Sequence, residues 1–149
     1  MFRAFGAPDA VETGRILARV CRRRGLVLLV GADPRLAGRL RADGLHLPER
    51  LAHKARRFRG RFLVSAAAHS LPAALRAQRA GAEAIVVSPV FPSRSPSAGR
   101  PIGPRALARL ARRVKTPVYA LGGVNVGNAR KLAVTGVVGV AAIEALTRT

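Results

Sequence analysis

The segment Gly81-Ala82-Glu83-Ala84-Ile85-Val86-Val87-Ser88-Pro89 decides the fold class. Gly81 stands where a helix would end, because glycine readily accepts the left-handed conformation of the residue that follows a helix. The apolar run 84–87 comes directly after this turn. A short run of this kind, closed by Ser and Pro, is typical of a buried parallel strand. The segment therefore predicts a helix, a tight turn and then a strand.

The same pattern recurs along the chain. Apolar runs lie at 26–30, 44–47, 61–65, 84–87, 118–121 and 137–140, and stretches with helical periodicity separate them. Thr135-Gly136 repeats the helix-ending device, and Thr116-Pro117 stops a helix before a strand. Strands that alternate with helices indicate βαβ units and a parallel sheet. We predict one α/β domain over residues 1–149.

The longest interruption of this pattern, at 88–104, is rich in Ser and Pro. A loop of this length within a compact domain is more often functional than filler. It follows a strand, and sites in β/α folds lie where parallel strands end. The sequence therefore places a candidate site at that edge of the sheet.

Composition narrows the class of protein. The chain is 49% hydrophobic with a formal net charge of +20, and its 27 basic residues are mostly Arg. Either the charge serves a nucleic-acid partner or it reflects a general preference for Arg. We favour the second, because the Arg residues are spread over nearly every helix and no segment sets them beside stacking aromatics. The single cysteine, Cys21, excludes an internal disulfide. Without a signal peptide or a membrane-length apolar run, we expect a soluble cytoplasmic protein with no membrane partner.

Several motifs together resemble the thiamine phosphate synthase / thiazole tautomerase family. They are Ala42-Asp43-Gly44-Leu45-His46-Leu47, Ala68-His69-Ser70, Ser88-Pro89-Val90-Phe91-Pro92-Ser93-Arg94-Ser95, Lys115-Thr116-Pro117-Val118 and Leu121-Gly122-Gly123-Val124. Each motif alone is weak, but their order and spacing make the set specific. The resemblance implies a parallel, TIM-barrel-like β/α barrel of eight strands. We count seven: residues 2–5 and the six apolar runs.

On this count the first strand and helix of the family fold are absent. A late start site, a fragment, or a barrel seam filled in another way would each explain the difference. An open seam would expose unpaired backbone and apolar side chains. We therefore expect poor behaviour as a monomer, and a homo-oligomer is the assembly consistent with it.

The resemblance implies an enzyme that joins hydroxymethylpyrimidine diphosphate to thiazole phosphate and releases diphosphate. The alternative is a non-catalytic or divergent relative that binds a phosphorylated small molecule. The catalytic candidates are His69, which matches a family position, and Ser88, which opens the long loop. The candidates for binding substrate or phosphate are Arg3, Ser93, Arg94, Ser95, Gly122, Gly123, Ala141 and Ala142. In this scheme the glycine pair lets the backbone approach a ligand, and Ala141 and Ala142 open a final helix with free N–H groups.

The family's magnesium site is only partly matched. Gly31-Ala32 stands where the family has Asn-Asp, and Pro48-Glu49 stands within the segment matching Gly-Gln-Glu-Asp. Asp33 and Glu49 are the remaining candidates to bind Mg²⁺, although each also suits the start of a helix. Pro96 replaces the family's lysine. His46 lies on an apolar strand, and a structural role is the favoured one there.

Overall fold

The computed structural model of the chain describes residues 1–4, 6–93 and 99–143. Its centre is a parallel sheet of six strands whose spatial order follows the chain order. The strands are β1 (Leu29–Gly31), β2 (Gly44–Leu47), β3 (Leu63–Ala68), β4 (Ala84–Val87), β5 (Val118–Ala120) and β6 (Gly139–Val140). The helices are α1 (Ala10–Arg23), α2 (Pro34–Leu40), α3 (Leu71–Arg79), α4 (Gly103–Arg113) and α5 (Val126–Ala129), with 3-10 helices at Glu49–Arg57 and Arg130–Leu132.

The consecutive order of parallel strands confirms the predicted α/β, TIM-barrel-like fold. Two strands, β2 and β4, have the predicted bounds. The strand predicted at 2–5 is instead one parallel bridge between Phe2 and Val30, and residue 5 lies outside the described ranges. The strand predicted at 26–30 begins only at Leu29, because the N–H of Leu26 turns back to the carbonyl of Cys21.

The two faces of the sheet differ in burial. One face packs against the helices, and Leu45, Val64, Ile85 and Ala120 are completely buried there. Side chains alternate between faces along a strand, so the residues between these point the other way. That second face is more open, and Tyr119 in β5 keeps 38% of its surface exposed.

Two carboxylates fix where neighbouring strands begin. Asp43, directly before β2, accepts a 2.8 Å hydrogen bond from the N–H of Leu28. Glu83, directly before β4, accepts a 2.9 Å hydrogen bond from the N–H of Val64. Each carboxylate therefore binds the backbone at or directly before the neighbouring, earlier strand and holds the register of the pair.

The topology gives the molecule two distinct ends. All strands run in one direction, so they all end at one side, which we call the carboxyl edge. The helices run back, so they end where the strands begin, at the side we call the amino edge. Residues 88–93 and 99–102, which connect to β4 and α4, lie at the carboxyl edge. Within the described ranges, no helix is both long enough and apolar enough to cross a bilayer.

Candidate functional site

His69 follows β3 at the carboxyl edge and is exposed. Its backbone N–H donates a 2.9 Å hydrogen bond to Oε2 of Glu49. Its ring Nδ1 is hydrogen-bonded to the carbonyl of Ser88, which follows β4. A carbonyl oxygen can only accept, so Nδ1 carries the proton. In the neutral imidazole this leaves the Nε2 lone pair available as an acceptor or a base.

Glu49 links three elements behind this histidine. It lies in the first turn of the 3-10 helix Glu49–Arg57 and binds the His69 backbone at the end of β3. Its Oε1 also lies 3.5 Å from Nη2 of Arg76 on α3. Both carboxylate oxygens therefore have partners, and the group positions His69 rather than facing solvent unpaired.

Replacing Glu49 by alanine is expected to lower the free energy of unfolding by about 1–2 kcal/mol, since a hydrogen bond to a charged acceptor is lost. Arg76→Ala removes only the exposed ion pair, so it should cost about 0.5 kcal/mol or less. Urea denaturation of both variants measures the difference. Equal losses would mean that the bond to the His69 backbone contributes nothing.

The loop after β4 is held against the loop after β5. The N–H of Val90 donates to the carbonyl of Leu121, and the N–H of Phe91 donates to the carbonyl of Gly122, each at 3.0 Å. The other end of the loop folds back on the same segment, because the N–H of Ile102 donates to the carbonyl of Pro89. Val90 is completely buried beneath these bonds.

The glycine pair serves this loop contact. Gly122 and Gly123 have φ angles of +92° and +65°, the left-handed region that favours glycine. A Cβ atom on Gly123 would lie 2.3 Å from the carbonyl oxygen of Pro92, and one on Gly122 would lie 2.7 Å from Cα of Pro89. The approach that the glycines permit is therefore to the loop backbone. The Cβ side of both residues is already filled by protein.

Ala141 and Ala142 were predicted to open a helix with free N–H groups, and the structure differs at Ala141. The backbone N–H of Ala141 is not free, because it donates a 2.8 Å hydrogen bond to the carbonyl of Ala120. The segment extends the pairing of β6 with β5 instead of opening a helix at 139–142. Ala142 follows at the same edge and is half-buried.

Arg3 supplies a cation at this edge. It follows the Phe2–Val30 bridge, and its Cγ lies 2.9 Å from where a Cβ of Gly31, the last residue of β1, would stand. The next strand carries His46, which is 8% exposed and hydrogen-bonded through Nδ1 to Oγ of Ser65 at 2.9 Å. Burial, then the positive charge of Arg3, and finally the N-terminal ammonium lower the pKa of His46 from 6.5 to about 4.

The two carboxylates predicted for Mg²⁺ are both bound to protein groups. Oδ1 of Asp33 accepts 2.9 Å hydrogen bonds from the N–H groups of Arg35 and Leu36 and so caps α2. Both oxygens of Glu49 are engaged as described. Among the residues whose positions are given, no three His, Cys, Asp or Glu side chains come together as metal ligands. A magnesium ion bound through Oδ1 of Asp33 or through Glu49 would compete with these hydrogen bonds.

The remaining predicted residues lie at the carboxyl edge or outside the described ranges. Ser88 is half-buried beside His69, and Ser93 is half-buried where the described part of the loop ends. Arg94 and Ser95 fall within 94–98, which the structure does not describe. The bonds of Glu49 were not foreseen from the sequence. Nor was the 2.8 Å bond from Nδ2 of Asn128 to the carbonyl of Gly123.

Fold and site together define a TIM-barrel-like β/α protein whose polar groups converge where the strands end. The family model described as thiamine monophosphate synthase matches residues 3–146. The chain belongs to the thiamine monophosphate synthase family.

Known relatives agree with this assignment. The chain is 34% identical over 140 residues to a thiamine-phosphate synthase of Pyrococcus furiosus, covering 93% of this chain and 68% of the relative. It is 37% identical over 144 residues to that of a Roseiflexus species, covering 94% and 61%. A solved thiamine phosphate pyrophosphorylase from Pyrococcus furiosus superimposes with a TM-score of 0.83 at 31% identity, covering 95% of this chain and 69% of that one. The chain thus spans roughly two thirds of the length of these relatives.

Proposed function

We propose that this chain is a thiamine phosphate synthase that joins hydroxymethylpyrimidine diphosphate to thiazole phosphate in the cytoplasm. The observation that carries the proposal is the match to the family over residues 3–146, together with relatives named for this activity. The chemistry breaks one C–O bond, whose electron pair leaves with diphosphate. The thiazole nitrogen then donates its lone pair to form the new C–N bond. No oxidant or reductant is needed.

In this proposal the carboxyl edge binds both substrates. His69 presents Nε2 as a hydrogen-bond acceptor, because its Nδ1–H is directed to the carbonyl of Ser88. Ser88 and Ser93 lie at the same edge, and their hydroxyls are proposed to form further hydrogen bonds to a substrate. Gly122 and Gly123 contribute indirectly, since they let the 89–92 segment pack close to β5.

Arg3 is proposed to bind the diphosphate. Charge that develops on a leaving diphosphate needs a fixed cation, and an arginine offers planar, bidentate donors for this purpose. The family resemblance implies Mg²⁺, but its candidate ligands Asp33 and Glu49 already bind protein groups. A larger share of the neutralisation therefore falls to Arg3.

Isothermal titration with diphosphate and with thiamine phosphate, each with and without Mg²⁺, tests these roles. We expect both compounds to bind, with Mg²⁺ changing the affinity less than about threefold. Arg3→Gln should weaken diphosphate binding about tenfold or more, as expected for a hydrogen bond to a charged group. Arg59→Gln, at the opposite edge, is the matched control and should change nothing.

The alternative outcomes are distinct. A large increase in affinity with Mg²⁺ would mean that Asp33 and Glu49 bind the metal in spite of their present hydrogen bonds. A folded protein that binds neither compound would contradict the proposed function. If both compounds bind, the conversion of the two substrates into thiamine phosphate is measured next.

A second candidate is a relative that binds a phosphorylated small molecule without catalysing the coupling. The engaged state of Asp33 and Glu49 favours it, because few carboxylates remain for a catalytic metal. Tight binding of thiamine phosphate with no formation of it from the two substrates would identify this case.

A further inference from the structure

Exposed cations collect at the amino edge. Sequence order spreads the basic residues over the whole chain, but the topology brings the end of each helix to the same side. About half of the 27 basic residues therefore lie there, all of them exposed. They are Arg22, Arg23, Arg24, Arg39, Arg41, Lys54, Arg56, Arg57, Arg59, Arg61, Arg79, Arg112, Arg113 and Lys115. We call this surface the basic face.

Helix dipoles explain only part of the basic face. A cation in the last turn of a helix is stabilised by the carbonyl groups that end there. Lys54 and Arg113 are examples of this placement. Arg59, Arg61 and Lys115 instead lie in the loops that lead from helices to strands, beyond the last turn. Local helix stability therefore does not account for the full concentration of charge.

Little on the basic face neutralises this charge. The carboxylates at this edge, Asp43 and Glu83, both accept backbone N–H groups. Glu83 also forms an ion pair with Arg59 at 4.0 Å. Among the described residues, this is the only ion pair on the basic face. Nη2 of Arg56 donates to the carbonyl of Arg79 at 3.4 Å, which brings two arginines together with no carboxylate between them. Like charges at this density repel unless an external anion lies between them.

We propose that the basic face binds the phosphodiester backbone of double-stranded nucleic acid. Its cations come from five successive helical elements, whose axes are typically about 10 Å apart, so the charge extends over several phosphates. Arginine dominates, and its planar group suits bidentate contacts with phosphate. In the part of this face that the structure describes, no aromatic side chain is fully exposed, which favours backbone contacts over base stacking.

An anionic bilayer is the competing partner. Leu26 and Val27, exposed by 58% and 63%, lie in the turn after α1 at the same edge. Basic groups mixed with exposed aliphatic side chains can bind the surface of a bilayer. Exposed aliphatic side chains at this edge, which also include Leu63 and Val138, remain fewer than its cations. This excess of charge favours a polyphosphate in water over insertion into lipid.

Two triple variants that remove equal charge test whether binding depends on the basic face or on the overall positive charge of the protein. Arg57, Arg79 and Arg113 each end a different helical element on the basic face, whereas Arg35, Arg50 and Arg105 lie in first turns at the carboxyl edge. All six side chains are exposed, so their replacement by alanine should leave the fold intact, and circular dichroism checks this. Fluorescence anisotropy with a labelled DNA duplex of about 20 base pairs measures affinity over a range of salt concentrations.

For the wild type we expect binding that persists at about 100 mM salt and weakens steeply as salt rises. The basic-face triple should lose at least about tenfold in affinity, and its salt slope should be shallower by about 2–3, close to one per phosphate contact removed. The carboxyl-edge triple should stay within about twofold of the wild type.

Three results would overturn the proposal. They are equal losses in the two triples, no DNA binding at about 100 mM salt, and tighter binding to vesicles rich in anionic lipid than to DNA. Diphosphate affinity is a separate readout, and it should be unchanged in the basic-face triple. Failure of this proposal would therefore not be mistaken for failure of the proposed enzymatic function.

Discussion

Gly123→Ala is expected to lower the free energy of unfolding by about 3 kcal/mol, the sum of two separate costs. The first is the φ angle of +65°, which an L-residue with a side chain adopts only with strain. The second is steric, because the new Cβ would lie 2.3 Å from the carbonyl oxygen of Pro92 and 2.8 Å from that of Phe91. These are backbone atoms, so the loop itself must move.

Gly60→Ala is the matched control for this change. Gly60 has a φ angle of +83°, but nothing lies within 4 Å of its Cβ position. It should therefore show the cost of the φ angle alone, about 1–2 kcal/mol. Chemical denaturation of both variants gives the two values. If Gly123→Ala were no worse than Gly60→Ala, the contact between the two loops would have no energetic weight.

Acidification should destabilise the protein through His46, by about 3 kcal/mol when the pH falls from above 6.5 to below 4. Because the pKa is lowered in the folded state, the unfolded chain binds a proton on this residue at a pH where the folded chain does not. Over this window stability rises with pH by about 1.4 kcal/mol per unit. When the folded protein takes up this proton, the charged imidazole is only 8% exposed and lies near the positive charge of Arg3, so its protonation is unfavourable.

His46→Gln removes this titration and keeps a hydrogen-bonding group opposite Ser65. Urea denaturation of the wild type and the variant at several pH values, at constant ionic strength, isolates the contribution. All other titrating groups are common to both proteins, so their effects cancel in the difference. Parallel curves for the two proteins would contradict burial of a neutral His46.

The secondary structure was predictable where local signals agree with the long-range pairing. Gly44–Leu47 and Ala84–Val87 are each preceded by an acidic residue and followed by a breaker, and both were bounded correctly. β3 was predicted too early because Ala66, Ala67 and Ala68 carry little strand propensity. Their strand geometry comes from the ladder to β4, which no local pattern contains.

The candidate site was predictable as a location more than as a set of contacts. Position after a strand was enough to place His69 and Ser88 at one edge, since parallel strands end together. The partners of Glu49 are 20 and 27 residues away in sequence, on elements whose packing the sequence does not display. The sequence predicted that the glycine pair lets a ligand approach the backbone closely. What approaches is the neighbouring loop, and only the three-dimensional arrangement reveals this.

The carboxylates of Asp43 and Glu83 have a consequence for how the chain avoids misfolding. A parallel strand that slips by two residues keeps its buried face buried, so the hydrophobic effect alone discriminates poorly against it. A slip of two between β2 and β3 would set His46 against Leu63 or Ala67 in place of Ser65, and a buried imidazole would lose its partner. Asp43 and Glu83 would lose their hydrogen bonds in the same way if β1 slipped against β2 or β3 slipped against β4, so the three polar contacts together disfavour slipped pairings along the first four strands.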